Sequence, residues 1–295
     1  AKEDAYTLAL FAQDEIKLLR NLQALIGVRY IYHENFKNHA TPNVALMYKP
    51  GKFNFRASYA AGFRTPTLSE LYATDIAKKN DRLTIGNLDL KPEKNNYFSL
   101  SAEYVHERFS VSVNAFYNNI RDMIDYNTIA TGDKAMEQYG HKEVRQRDNI
   151  AEAKVHGINV SANAYLGAGF NLSGGYTHLN TQDVELEQPI DKSIKNAYNI
   201  NAQWAHSWKI YRLNINLNGR INSKRFSKSY GYAPEYQLWD LNTRHSFNLK
   251  SVIIEPGFGM ENLFDYMDDR PYNSNYATLT PGRSFYISLS LKFKS

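Results

Sequence analysis

The 295 residues include no cysteine, which removes disulfides and thiolate metal sites and turns attention to histidine and tyrosine for iron and to arginine and lysine for an anion. His33, His39, His141 and His178 lie near the ends of alternating segments or in the polar stretches between them, and imidazole is a common transition-metal ligand. Tyr72, Tyr139, Tyr230, Tyr232, Tyr272 and Tyr276 fall on similar polar stretches, and iron also accepts phenolate. Arg64, Lys78, Lys79 and Arg82 gather in one long stretch, residues 62–92, where they can pair with an anionic group. Catalysis finds no footing. The acidic pairs Asp268 and Asp269, or Glu185 and Glu187, have no base or nucleophile arranged beside them, and nothing in the spacing of Asp125, His245 and Ser246 demands a triad. No G-x-S-x-G, H-E-x-x-H or phosphate loop is present, so the chain reads as something other than an enzyme.

The elements that position these residues repeat every two residues. In "RFSVSVNAFYNN" the set Phe109, Val111, Val113, Ala115 and Tyr117 alternates with Ser110, Ser112, Asn114 and Asn118. "SFYISLSLKF" does the same near the C-terminus, with Phe285, Ile287, Leu289, Leu291 and Phe293 against Tyr286, Ser288, Ser290 and Lys292. Successive strand side chains point to opposite faces, so each run has one oily and one wet face. The chain is 14% aromatic, yet its mean hydropathy is −0.55 and no apolar run reaches the roughly 18 residues of a membrane helix. An all-β soluble protein and a membrane β-barrel both fit that pairing. Strand length and loop asymmetry favour the barrel. Short turns at Leu18–Asn21, Lys49–Lys52, His106–Arg108, Leu166–Gly169, Ser207–Lys209 and Asn248–Lys250 alternate with long loops near 33–41, 62–92, 127–142, 181–195, 222–235 and 265–281. About thirteen strands are expected, at 5–17, 21–33, 42–50, 52–61, 93–105, 108–126, 143–165, 169–181, 196–206, 209–221, 234–248, 250–264 and 282–294. The net charge of +5 comes from interspersed residues, not a basic block, so nucleic acid is not an expected partner. No signal peptide opens the chain, and an odd strand count suggests a fragment or one piece of a split protein.

Four motifs in order then carry a resemblance. "GFRTPTLSELY" contains Phe63, Arg64 and Pro66, and "GNLDLKPE" contains Asn87, Leu90 and Pro92, with Leu88 where a proline is usual. Asn262, Leu263, Phe264 and Asp265, then Pro281, Gly282 and Arg283, bracket the last loop. Together they resemble the C-terminal part of TonB-dependent outer-membrane receptors. The resemblance implies an all-β, transmembrane antiparallel barrel in the cell outer membrane, with residues 1–295 as the C-terminal portion of a probable 22-stranded whole. It implies an N-terminal plug and early strands outside this chain, and a TonB complex reached through that missing part. Outer-membrane lipid, lipopolysaccharide and a surface lipoprotein are the further partners expected.

The implied activity is energised uptake of a scarce metal chelate into the periplasm, with a passive porin-type channel as the alternative. No intrinsic cofactor or resident metal is expected; the iron chelate, haem or cobalamin is cargo. The family's haem receptors carry F-R-A-P and N-P-N-L segments around a histidine, whereas residues 67–86 here contain none. His33, His39, His141 and His178, with Tyr72, Tyr139, Tyr230, Tyr232, Tyr272 and Tyr276, are the candidate groups for haem. Arg64, Lys78, Lys79 and Arg82 are the candidates for an anionic chelate or lipopolysaccharide phosphate. Siderophore-iron and haem stand ahead of cobalamin. The motifs read equally well as structural, with Gly62 and Pro66 turning the chain off the rim and Asn87 or Asp89 opening a turn.

Overall fold

The computed structural model describes residues 4–150, 152–227, 231–268 and 280–294. In chain order the elements are β1 (Thr7–Leu19), β2 (Leu22–His33), β3 (Lys37–Tyr48), β4 (Phe53–Arg64), α1 (Leu68–Tyr72), β5 (Thr74–Ala77), β6 (Arg82–Ile85), β7 (Glu93–Val105), β8 (Phe109–Arg121) and β9 (Ile124–Thr131). There follow α2 (Gly132–Tyr139), β10 (Glu143–Asn149), β11 (Ala153–Gly167), β12 (Phe170–Asp183), β13 (Asn196–Trp208), β14 (Tyr211–Asn222), β15 (Arg225–Ser227), β16 (Gly231–Ala233), β17 (Tyr236–Asn248), β18 (Val252–Glu261) and β19 (Ser284–Phe293). Thirteen of the strands form one antiparallel sheet in the order β1-β2-β3-β4-β7-β8-β11-β12-β13-β14-β17-β18-β19, each beside its predecessor.

Register stacks the outward side chains in rows. Leu46, Ala57, Leu100, Ala115 and Ile158 face one another in one row across β3, β4, β7, β8 and β11. Val44, Tyr59, Phe98, Tyr117 and His156 form the next row towards the long loops. Nearer the short turns, Phe53, Tyr104 and Val111 form another. From Phe53 to Phe63 the outward face of β4 covers ten residue steps, about 34 Å along the strand, or about 24 Å of height at 45° tilt. That matches the apolar band of an outer-membrane barrel. Leu100, Leu289 and Ile287 are 63%, 66% and 77% exposed. Apolar residues so open over a whole sheet face need a non-aqueous neighbour. The inward rows are wet instead: Ser58 and Ser99 sit 2.6 Å apart, and Asn201 donates to both Asn216 and Asn218 at 2.7 Å.

The thirteen strands match the expected number, but three loop expectations change. Residues 34–36 make a tight turn, not a long loop, and β3 starts at Lys37. Pro42 is tolerated within it because β3 pairs with β4 only from Asn43 onward, so its missing N–H leaves no gap on that side. The run at 143–165 is two strands, β10 and β11, and the run at 108–126 likewise divides into β8 and β9. β5, β6, β10 and β9 build a separate four-stranded sheet in that order, with β6 and β10 parallel. Non-local pairing of this kind leaves no local signal in sequence.

Candidate functional site

Above the sheet, two carboxylates close on Arg64. Register sets Arg64 at the end of β4 opposite Glu93 at the start of β7. Arg64 donates from Nε to Glu93 Oε2 at 2.7 Å and from Nη2 to Oε1 at 2.5 Å, a two-pronged pair. Its Nη1 donates to Glu70 Oε2 at 2.9 Å. Glu70 is in reach because Thr67 caps α1 with a reciprocal box: Glu70 N donates to Thr67 Oγ1 at 3.2 Å, and Thr67 N donates to Glu70 Oε2 at 2.8 Å. Pro66, buried just before the cap, turns the chain into it. Burial pushes the Glu70 carboxyl upward, but Arg64 and the Thr67 donors outweigh that and hold it below the usual carboxylate range. Glu93 Oε1 also accepts from Ile124 N at 2.9 Å, which ties in the start of β9. Beneath the charges Leu71, Leu90 and Ile124 form a small apolar core, with Phe36 packed against it.

Residues 86–92 seal this corner. A Cβ on Gly86 would sit 2.5 Å from the Leu71 carbonyl oxygen, so only glycine lets the chain pass there. Asn87 N donates to Glu70 O at 3.0 Å, and Asn87 Oδ1 accepts from Asp89 N at 2.9 Å, the turn its residue type implies. Just before Pro92, Lys91 N donates to Asn149 Oδ1 at 2.6 Å. The four-stranded sheet is fastened next to it: His141 Nδ1 lies 2.9 Å from Asp81 Oδ1, and Lys142 N donates to Asp81 O at 3.0 Å. His141 draws the Asp81 carboxyl below its ordinary range. Arg82 opens β6, and its Nε is enclosed with no hydrogen-bond partner. Tyr72 ends α1 and is 45% exposed.

The other candidate histidines divide. His33 is buried at the end of β2, accepts from Asn35 N at 3.2 Å on Nδ1 and tilts onto Phe36. His39 stacks on Phe63 with ring centroids 4.0 Å apart, its Nε2 2.9 Å from Phe36 O. Through Phe36 and the loop sheet, the structure groups His33, His39, Arg64, Tyr72, Arg82 and His141 in one sector of the rim. His178 stands apart. Its register matches Tyr176 and Tyr198, on the outward face, and its Nδ1 lies 2.8 Å from Asn196 Oδ1. Tyr272 and Tyr276 lie outside the described residues. Glu70, Glu93 and Asp81 were missed as partners; the Thr67-x-x-Glu70 spacing was the one readable hint.

The last-loop motif is a second fastening. Asn262 is buried with φ at 52°, and its Nδ2 donates to Tyr266 O at 2.7 Å and Pro281 O at 3.2 Å. Its Oδ1 accepts from Tyr266 N at 2.8 Å, and its own N donates to Asp240 Oδ1 at 2.9 Å. Leu263 N donates to Trp239 O at 2.6 Å, Phe264 meets the Trp239 ring edge-on, and Arg283 N donates to Asp265 Oδ1 beside Gly282. Asn262, Pro281 and Gly282 thereby border a cavity of about 470 Å³ on the inner face, lined also by Asn199, Asn201, Asn218, Arg220, Asp240 and Glu261. Amides beside charges of both signs can hold a polar solute by hydrogen bonds without a metal ligand. No cluster of three or more metal-ligating His, Asp or Glu occurs among the described residues.

Over residues 1–263 the sequence matches the family model described as TonB dependent receptor-like, beta-barrel. The chain belongs to that family. Among solved structures, this TonB-dependent receptor barrel is similar to the ferric enterobactin receptor PfeA of Pseudomonas aeruginosa, a variant of which is solved in complex with enterobactin. The match has TM-score 0.78 and 20% identity, over 98% of this chain and 46% of that one. The siderophore receptor PirA of Acinetobacter baumannii gives 0.76 at 17% identity, over 100% and 47%. BauA, the ferric preacinetobactin receptor of the same organism, gives 0.69 at 17%, over 97% and 42%. The chain thus spans a little under half the length of these structures. Identities at this level establish a shared fold, and the barrel class expected from the alternation stands.

Proposed function

We propose that these strands belong to a TonB-dependent outer-membrane receptor that takes up a ferric siderophore. Residues 1–295 are its C-terminal barrel portion. β1 and β19 each pair on one side only, and unpaired edges are untenable in lipid, so further strands complete the wall; the receptor family implies about nine of them and a plug in the lumen. The reading is carried by a wet inner face, closed towards the loops by a polar rim cavity, on a member of this receptor family. Haem fits less well. His39, His141 and His178 each hold a hydrogen-bonding partner within the chain, His33 is buried, and a siderophore brings its iron already coordinated.

The test is uptake of radio-iron by cells carrying the complete receptor, offered as ferric catecholate, ferric hydroxamate or haem, with and without TonB. Uptake of one ferric siderophore, abolished without TonB, is expected. Uptake that persists without TonB would convert the receptor to a passive channel. A haem Soret shift removed by substitution of His39 or His141 would convert the cargo to haem.

A further inference from the structure

We propose that the outer face of β3, β4, β7 and β8, with Lys154 of β11, seats a phosphorylated, multiply acylated lipid of the outer leaflet. This rests on the outer-membrane reading above. Ala57 and Ala115 stand in a row whose other members include Leu46 and Leu100. Small side chains among large ones leave a trough of about 580 Å³ on the lipid-facing side, bordered by Leu46, Phe98 and Leu100. An alkyl chain fills such a furrow and recovers the dispersion contacts its walls lack. Towards the loops the face turns polar, as Tyr59 Oη donates to Asn96 Oδ1 at 2.8 Å.

At the top of the same face are three cations. Register places Lys94 directly opposite Arg121, and Lys154 opposite Asn119 one row below. Lys94 and Arg121 are exposed and form no ion pair among the described residues, and Lys154 has only Glu152, at 3.7 Å. Like charges directly opposite across strands repel, and an anion between them removes the cost. From Leu100 to Lys94 is six residue steps, about 20 Å along the strand and about 14 Å in height. Half the hydrocarbon thickness is about 15 Å. A phosphate held by Lys94 and Arg121 therefore lets the attached acyl chain end in the Ala57–Ala115 trough. A zwitterionic headgroup supplies no matching net charge.

The experiment uses the complete receptor purified in detergent. Its probes are bis-phosphorylated lipid A, the same lipid with both phosphates removed, and phosphatidylcholine, read by native mass spectrometry. Lys94→Gln, Arg121→Gln and Lys154→Gln together are expected to weaken retention of the phosphorylated lipid about a hundredfold and to leave the dephosphorylated form unchanged. Ala57→Phe with Ala115→Phe, which fills the trough, is expected to weaken both lipid A forms. Phosphorylated lipid A held within threefold of wild type by the triple variant would overturn the proposal. So would phosphatidylcholine binding the wild type equally well. A receptor absent from the outer-membrane fraction would remove the underlying reading; one present there with undiminished retention removes this proposal alone.

Discussion

Replacing Arg64 by alanine tests whether the clamp on β4 is structural. Glu70 and Glu93 are the covered members, 13% and 16% exposed, whereas the Arg64 side chain is 43% exposed. Exposed ion pairs contribute about 0.2–1 kcal/mol, and breaking a fully buried one costs about 3–5 kcal/mol. A half-exposed arginine between two mostly covered carboxylates falls between those limits, at about 2 kcal/mol for local opening. That is about a 30-fold rise in the open population. Hydrogen exchange read by mass spectrometry should show it at the amides of Leu71, Ala73, Asn87 and Ile124, whose acceptors belong to α1, to its cap Thr67 or to Glu93. Interior amides of β7 and β8 should not change. Arg64→Lys should fall between, since one ammonium cannot fork across two carboxylates. Acid should mimic the loss. The Glu70 carboxyl is held low in the folded loop, so its contribution is complete above the unfolded value of about 4.3 and disappears as pH falls through the lower folded one. Exchange within twofold of wild type at all four amides would refute the clamp. Were chelate affinity to drop without any change in exchange, Arg64 would be a direct ligand contact.

Gly86→Ala drives a Cβ against the Leu71 carbonyl and should loosen α1 and β6 by about 2 kcal/mol, seen as faster exchange there with the barrel melt unchanged. Asn262→Ala removes three side-chain hydrogen bonds and puts alanine at a φ of 52°. It should cost about 3 kcal/mol, read as earlier proteolysis of the β18–β19 loop. Asp81 is held below its ordinary value by His141, so the fastening of β6 to the α2–β10 connection is intact above about pH 4 and fails as pH falls through the lower folded value. Exchange at Lys142 against pH should show that step, and Asp81→Asn should abolish it.

Where one environment runs the length of a strand, the alternation was enough. A slip of one residue on β19 would turn Phe285, Ile287 and Leu289 into the lumen, so a single register remains. Reading failed where the environment changes mid-run. Residues 143–165 read as one strand, yet Asn149 ends β10 by donating to the carbonyls of Lys91 and Asp122, and β11 starts afresh in the wall. Both carbonyls come from other segments, so no local pattern announces the break. The same limit applies at Arg64. Its type advertises an anion partner, and only the fold reveals that the anions are Glu70 and Glu93 of its own chain.

Barrel and loops are consequently held by different forces. The wall is a continuous ladder of backbone hydrogen bonds with its apolar rows turned outward, and opening any part of it breaks many bonds together. The long loops depend on a few polar fastenings: Arg64 with its two carboxylates, Asp81 with His141, and Asn262 with the last-loop backbone. Each is local, so each can open while the wall stays shut. On the uptake proposed above, loops that part to admit a bulky chelate would need that separation, because a rim fastened by the ladder itself would open only when the barrel unfolded. A variant such as Asn262→Ala that lowered the barrel melting temperature as much as it accelerated loop exchange would show the two to be one cooperative unit, and this account of gating would fail.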